Sequence, residues 1–208
     1  MSAFGVVAVG GSAGGLDAVR TILSALPRAL AAALIVVQHR ARASDTLAEV
    51  LQHGSALPVT EVEDKDPVEA AHVYIAPADY HLLVEPGQFA LSTDEPVLFS
   101  RPSIDVLFES VADVYGPAVL GVVLTGANQD GSRGLRRIVQ RGGAALVQSP
   151  ESAEAPTMPR AALAAVPEAR VLPLEEIAGA IAQWADAYAA RSSVSGGDVR
   201  LRILEELT

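Results

Sequence analysis

Short apolar segments alternate with amphipathic segments along most of this chain, and that alternation restricts the fold more than any other feature of the sequence. The apolar segment 4–10 is followed by a segment whose apolar residues stand at positions 16, 19, 22 and 23, as on one face of a helix. Strands that alternate with helices predict an α/β fold built on a largely parallel sheet. With 208 residues, half of them apolar, the chain is long enough to bury such a core.

These periodicities, together with the Gly and Pro residues that interrupt them, predict the individual elements. The predicted strands cover 4–10, 34–38, 58–62, 72–76, 119–124, 144–148 and 170–172. The predicted helices cover 15–26, 44–53, 104–115, 131–141 and 174–190, with a short additional helix after Pro159. The turn residues Glu85-Pro86-Gly87, between 80–84 and 88–92, predict a β-hairpin. Ser103 is predicted to be the N-cap of the helix over 104–115.

The C-terminal part of the chain has a different composition. Residues 192–197 read Ser-Ser-Val-Ser-Gly-Gly, which is typical of a flexible linker. We therefore expect one domain over 1–190 and a linker with a C-terminal appendage over 191–208.

A glycine-rich turn, Gly10-Gly11-Ser12-Ala13-Gly14-Gly15, joins the first predicted strand to the first predicted helix. A serine flanked by glycines at a strand-to-helix turn is the setting of a nucleophile elbow. The glycines allow a sharp turn, and the start of the helix offers unpaired N–H groups beside the hydroxyl. Ser12 is therefore a candidate nucleophile.

Two other predicted strands end in side chains that could complete a catalytic triad. His39 directly follows strand 34–38, and Asp130 lies in the loop after strand 119–124. The carboxyl ends of parallel strands lie at one edge of a sheet, where open α/β folds bind ligands. His39 would then act as general base toward Ser12, and Asp130 would fix and stabilise the imidazole. Backbone N–H groups at the start of helix 15–26, or in the 126–128 loop, would bind the oxyanion.

Each candidate also has a structural interpretation. The turn could cradle a phosphate, although Ser12 stands where the second glycine of a dinucleotide fingerprint belongs and no Walker lysine is present. Alone, Ser12 could be an ordinary turn residue, His39 a strand-end histidine and Asp130 a helix N-cap. Their joint placement favours the triad. The order Ser, His, Asp differs from that of the α/β-hydrolases.

Composition excludes several classes of protein. The net charge of −10 argues against nucleic acid as a partner, and the absence of cysteine excludes disulfides. The four histidines show no metal-binding spacing, so we expect no metal site. Neither a signal peptide nor an apolar run of about 20 residues, as a membrane span requires, is visible. We therefore expect a cytoplasmic protein that is not inserted in a membrane.

Over about 1–190 the chain resembles the catalytic domain of the CheB family, the chemotaxis protein-glutamate methylesterases. Six motifs in the same order carry this resemblance, which makes it specific. They are Val9 to Gly15, Val37-Gln38-His39, Tyr74 to Leu83, Ser100 to Phe108, Leu124-Thr125-Gly126 through Asp130-Gly131, and Met158-Pro159-Arg160-Ala161-Ala162.

The resemblance implies a three-layer α/β/α sandwich around a mostly parallel sheet of about seven strands, with a small antiparallel hairpin. It assigns the nucleophile to Ser12, the base to His39 and the acid to Asp130. The implied reaction is hydrolysis of γ-glutamyl methyl esters on cytoplasmic helices of methylated chemoreceptors, with glutamine deamidation as a related activity. No cofactor is implied. Since the best-known members also carry a receiver domain, we expect a stand-alone enzyme or an excised catalytic domain.

Three further residues are assigned to oxyanion or substrate binding. Ala13 stands where the family usually has Ser or Thr. Ala127 takes a methionine position whose backbone N–H is associated with the oxyanion hole. Arg101 is a candidate for positioning substrate, and a surface arginine that caps local carbonyls is the equal alternative. Two other functions stay open: a non-catalytic module with the same fold, and, less favoured, a nucleotide-binding protein.

Overall fold

The computed structural model describes residues 4–39 and 47–205, with side chains up to Ser193. Seven parallel strands form one sheet in the order β3-β4-β2-β1-β7-β8-β9, and β5 and β6 form an antiparallel hairpin. The strands are β1 (Gly5–Gly11), β2 (Ala32–Gln38), β3 (Val59–Glu61), β4 (Val73–Ile75), β5 (His81–Glu85), β6 (Gln88–Ser92), β7 (Val119–Val123), β8 (Ala144–Gln148) and β9 (Arg170–Leu172).

Helices cover both faces of the large sheet. They are α1 (Gly15–Ala25), α2 (Leu47–Gln52), α3 (Ile104–Tyr115), α4 (Ser132–Gln140), α5 (Thr157–Ala165) and α6 (Leu174–Glu205). Helices α1, α2 and α6 pack on one face, and α3, α4, α5 and the hairpin pack on the other. No helix in the described part of the chain is long and apolar enough to cross a membrane.

The central strands are apolar throughout because both of their faces are covered. All residues of β1 and β2 are buried. Successive side chains of a strand point to opposite faces. Accordingly, Val7 and Val9 join the core under α1 and α6, whereas Val6 and Ala8 join the core under α3 and α4.

These observations confirm the predicted fold class, a three-layer α/β/α sandwich with a small hairpin. The hairpin pairs Glu85 with Gln88 across the predicted Pro86-Gly87 turn. The N-cap prediction is also confirmed, because the Ser103 hydroxyl accepts from the Val106 amide at the start of α3. The helix predicted over 44–53 appears as α2, and its first three positions lie outside the described residues.

Most observed boundaries lie within two residues of the predicted ones, and the start of α5 and the end of α6 differ by more. Helix α5 begins at Thr157, so Pro159 lies in its first turn rather than before the helix. Proline is tolerated there because an N–H group in the first turn of a helix makes no intrahelical hydrogen bond. Helix α6 continues through 192–197 to Glu205, where we predicted a flexible linker. Adding residues to an existing helix is more favourable than starting a new one. Each glycine lowers the stability of the helix by only about 1 kcal/mol. The division of the chain at residue 190 stays a prediction.

The strand order places a crevice between β1 and β7. These two strands are neighbours, yet the helices that follow them, α1 and α4, lie on opposite faces of the sheet. Ligands of open α/β sheets bind at such a switch point, beyond the carboxyl ends of the strands. The turn that contains Ser12 follows β1, and the loop that contains Asp130 follows β7.

Candidate active site

The register of β1 and β2 brings Ser12 and His39 to adjacent positions. Gly11 pairs with Gln38, and each candidate residue is the next one along its own strand. The His39 amide donates to the Gly11 carbonyl at 3.0 Å, which extends the ladder by one bond beyond the strands. The parallel sheet therefore fixes the two backbones side by side.

A buried glutamine joins the two turns. Gln38 Nε2 donates to the carbonyl of Ser12 at 2.8 Å and to that of His39 at 3.1 Å. A Cβ added to Gly15 would lie 2.2 Å from Gln38 Oε1, so the start of α1 packs directly on this amide. Since Gln38 is buried, its two bonds hold the Ser12 and His39 backbones in one arrangement.

His39 and Asp130 are in direct contact. His39 Nε2 lies 2.8 Å from Asp130 Oδ2, and the Asp130 side chain has no solvent exposure. An ionised carboxylate can only accept, so we assign the ring proton to Nε2. The lone pair of the neutral imidazole is then on Nδ1.

The N-terminus of α3 holds the Asp130 carboxylate. Oδ2 also accepts from the Ile104 amide at 2.7 Å, and Oδ1 accepts from Ser103 Oγ at 2.9 Å and from the Asp105 amide at 3.0 Å. The first amides of a helix have no intrahelical acceptors and carry the positive end of its dipole. An ionised carboxylate is therefore stabilised at this buried position.

The pKa of Asp130 reflects two opposing effects. Burial by itself raises the pKa, but hydrogen bonds from His39 and from the Asp105 and Ile104 amides outweigh it, so the pKa lies below its ordinary value. The neighbouring Asp105 behaves differently. Burial raises the pKa of Asp105 despite the hydrogen bond that it accepts from the Gly134 amide.

The Ser12 turn is also tied to the loop after β7. The Ser12 amide donates to the Thr125 carbonyl at 3.0 Å, and Thr125 Oγ1 donates to the Ala13 carbonyl at 2.9 Å. The Gly15 amide closes the turn by donating to the Ser12 carbonyl, and Gly14 takes a φ of +73° that favours glycine. This is the sharp turn that the glycines predict.

The third contact of a triad is not formed in this arrangement. No hydrogen bond between the Ser12 side chain and His39 occurs among residues 4–39 and 47–205. Ser100 Oγ is instead 3.4 Å from His39 Nδ1. Ser12 is half-buried, and it lies beside His39 in the register described above. A hydrogen bond from the Ser12 hydroxyl to Nδ1 would complete the triad, and this contact stays a prediction.

Ala13 and Ala127 lie on the two loops that flank the crevice, and both are exposed. No backbone carbonyl in the described part of the chain accepts from either amide. They are thus available as donors, and their assignment to an oxyanion hole stays a prediction.

Arg101 has several partners within the protein. Its Nε and Nη2 donate to Asp79 Oδ1 at 3.0 and 2.6 Å, and its Nη1 donates to the Thr93 and Asp94 carbonyls at 2.8 and 3.1 Å. This is the carbonyl-capping alternative that the sequence left open. A substrate contact for Arg101 stays a prediction.

Three residues have supporting roles that the sequence did not predict. Gln38 clamps the two turns, Ser103 binds the buried acid, and Thr125 anchors the Ser12 turn. A signal existed for each. Gln38 lies immediately before His39, and Thr125 lies immediately before the 126–128 loop. Ser103 was predicted as an N-cap, and this position places its hydroxyl among the amides that Asp130 binds.

A model of the CheB methylesterase family matches residues 7–181. The chain belongs to the CheB methylesterase family. A putative protein-glutamate methylesterase/protein-glutamine glutaminase of Leptospira interrogans is 44% identical over 174 residues, which cover 83% of this chain and 90% of that protein. Protein-glutamate methylesterase FrzG of Myxococcus xanthus is 39% identical over 183 residues, 87% of this chain and 55% of FrzG. The chain spans about half the length of FrzG and of several other CheB relatives.

A solved CheB structure has the same fold. The CheB methylesterase catalytic domain of Thermotoga maritima superposes with a TM-score of 0.84 at 30% sequence identity. The match covers 88% of this chain and the whole of that domain.

Proposed function

We propose that this CheB family member is a serine esterase that hydrolyses γ-glutamyl methyl esters on the cytoplasmic helices of methylated chemoreceptors. The observation that carries the proposal is the hydrogen bond between His39 and the buried Asp130, at the sheet edge where Ser12 directly follows β1. Membership of the family supplies the ester as substrate. The products are glutamate and methanol.

The first half of the reaction transfers the glutamyl group to the enzyme. His39 Nδ1 accepts the hydroxyl proton of Ser12 as Ser12 Oγ attacks the ester carbonyl carbon. The same proton then passes to the methoxide oxygen, and the C–O bond breaks to release methanol. Asp130 stabilises the imidazolium through its bond to Nε2. Nδ1 must exchange its contact with Ser100 for one with Ser12 before this step.

The second half regenerates the enzyme. Water attacks the acyl carbon while His39 Nδ1 takes one of its protons, and the bond from that carbon to Ser12 Oγ breaks with return of the proton to Ser12. Both tetrahedral intermediates carry an oxyanion. The exposed amides of Ala13 and Ala127 are the donors that we assign to it. With glutamine as substrate the same steps release ammonia, which is the deamidase activity.

The integrity of the buried network argues against the non-catalytic alternative. Asp130 receives four hydrogen bonds, one of them from His39. A fold that needed only a helix cap at this position would not need an imidazole as the fourth donor.

Release of methanol from a methylated chemoreceptor fragment tests the proposal. Ser12→Ala should lower the rate by at least about 10³-fold, because removing a nucleophile removes the covalent route. The matched control is Ser24→Ala, since Ser24 is exposed on α1 and its hydroxyl donates to the Thr21 carbonyl of the same helix. Thermal unfolding of both variants should match the wild type. Unchanged methanol release by a folded Ser12→Ala protein would refute the assignment of the nucleophile.

A further inference from the structure

A short segment beside the active site is firmly tied to the protein. This strap, residues 93–100, leads from β6 toward α3. The Arg101 guanidinium binds the Thr93 and Asp94 carbonyls and is itself bound to Asp79. His81 Nε2 lies 3.1 Å from the Glu95 carbonyl oxygen. The strap therefore has a fixed base, and its tip projects from it.

The tip is a tight turn with unfavourable residues in it. The Val97 amide donates to the Ser100 carbonyl at 3.1 Å, and the Ser100 amide donates to the Val97 carbonyl at 2.8 Å. The two residues between them, Leu98 and Phe99, have φ values of +48° and +64°. Two-residue turns with positive φ at both positions favour Asn-Gly, because a side chain makes that backbone conformation costly.

Packing does not explain why these two residues are apolar. Phe99 is fully exposed and Leu98 is 41% exposed, so neither contributes appreciably to the core. Glycine or asparagine would form the turn more easily and would expose less apolar surface. Large apolar side chains at a strained and exposed position indicate a role outside folding.

The turn lies beside the reacting groups. Ser100, whose Oγ is 3.4 Å from His39 Nδ1, directly follows Phe99. Consecutive Cα atoms are about 3.8 Å apart, so the fully exposed Phe99 lies one residue from the side chain that contacts the candidate base. A helix that presents a side chain to Ser12 also comes close to His39, and therefore to the turn that Ser100 ends.

We propose that Leu98 and Phe99 form a docking element that packs on the apolar side chains of the substrate helix next to the esterified glutamate. This inference rests on the proposed function. Residues three and four positions from the target lie on the same face of a helix, so an exposed aromatic residue next to Ser100 is close enough to contact them. An exposed apolar contact does not depend on the charge of the receptor, so it can supply local affinity to a chain whose own net charge is −10.

The test compares two substrates of different size. Phe99→Ala should raise KM for a methylated receptor fragment at least 10-fold and leave kcat/KM for p-nitrophenyl acetate unchanged. The matched control is Val114→Ala, since Val114 is also exposed but lies about 15 Å along α3 from its N-terminus. This control should leave both substrates unaffected.

Two more variants separate docking from folding. Phe99→Leu keeps an apolar side chain and should restore most of the activity toward the fragment. Phe99→Gly relieves the positive φ, so its melting temperature should equal or exceed that of the wild type while its KM for the fragment rises as in Phe99→Ala.

Three results would overturn the proposal. They are equal losses on both substrates, an unchanged KM for the fragment, or a change of oligomeric state in Phe99→Ala, which would indicate a second copy of this chain as the occupant. Failure of the proposed function looks different, because the wild type would then release no methanol. Docking would still be measurable as weaker binding of the fragment by Ser12→Ala/Phe99→Ala than by Ser12→Ala.

Discussion

Asp105 and Asp130 cap each other's helices. The Asp105 amide, in the first turn of α3, donates to Asp130 Oδ1 at 3.0 Å, and the Asp105 carboxylate accepts from the Gly134 amide, in the first turn of α4, at 2.7 Å. Asp130 stands just before α4. These two hydrogen bonds join the N-termini of α3 and α4, and Asp130 lies between α3 and His39.

This arrangement predicts that Asp130, the proposed acid, contributes to stability as well as to catalysis. Asp130→Asn should lower kcat about 10³- to 10⁴-fold, because the amide no longer fixes and stabilises the imidazole correctly. It should also lower the free energy of unfolding by about 2–4 kcal/mol, since an amide nitrogen would face buried N–H donors. Urea unfolding and methanol release measure the two effects.

The matched comparison is His39→Gln, which leaves three of the four donors to Asp130 in place. It should lose activity while losing less stability than Asp130→Asn. Equal losses of stability would contradict the assignment of the acid's support to α3.

The two aspartates should affect the pH dependence of stability in opposite directions. The pKa of Asp130 is lower in the folded protein than its ordinary value of 3.8, so ionised Asp130 stabilises the fold above that pH. This contribution is lost as the pH falls through the folded pKa. The pKa of Asp105 is raised above 3.8, so ionised Asp105 destabilises the fold at neutral pH. When the pH falls below that raised pKa, Asp105 is protonated and this destabilisation is lost.

Asp105→Asn tests this difference, since its amide oxygen can still accept from Gly134. At pH 7 the variant should be at least as stable as the wild type, whereas Asp130→Asn should be less stable. Urea unfolding between pH 3 and 7 should show a gain on mild acidification in the wild type that Asp105→Asn lacks. A clear loss of stability in Asp105→Asn at pH 7 would contradict the prediction.

The clamp formed by Gln38 can be tested without altering any triad residue. Gly15→Ala would place a methyl group 2.2 Å from Gln38 Oε1, so the amide must move away from the Ser12 and His39 carbonyls. We expect kcat/KM to fall roughly 10- to 100-fold, since small displacements of reacting groups are costly.

Gly179→Ala, on α6, is the control because nothing lies within 4 Å of the added methyl group. It should leave activity unchanged and raise the free energy of unfolding by about 0.5–1 kcal/mol. Wild-type activity in Gly15→Ala would show that the clamp does not position the site.

The local pattern of the sequence determined the elements and much of the site. Short apolar runs that alternate with amphipathic helices predicted parallel strands. Ser12, His39 and Asp130 all follow such strands, and the sequence therefore placed them at one edge of the sheet. The bounds of α3 and the hairpin turn also followed from local signals, because Ser103 and Pro86-Gly87 act through their own backbone neighbourhood. The extent of α6 did not, since packing of its earlier turns outweighs the weak preference of Ser and Gly.

Tertiary structure alone decided how the site is held. That Asp130 accepts from the first amides of α3, that Gln38 joins two turns, and that Arg101 is bound to Asp79 all depend on residues distant in sequence. Likewise, only the structure shows that Phe99 is exposed and that its neighbour Ser100 contacts His39. Hydrogen bonds and steric contacts act over a few ångströms, so a sequence predicts which groups can make them, and only the assembled fold decides which groups meet.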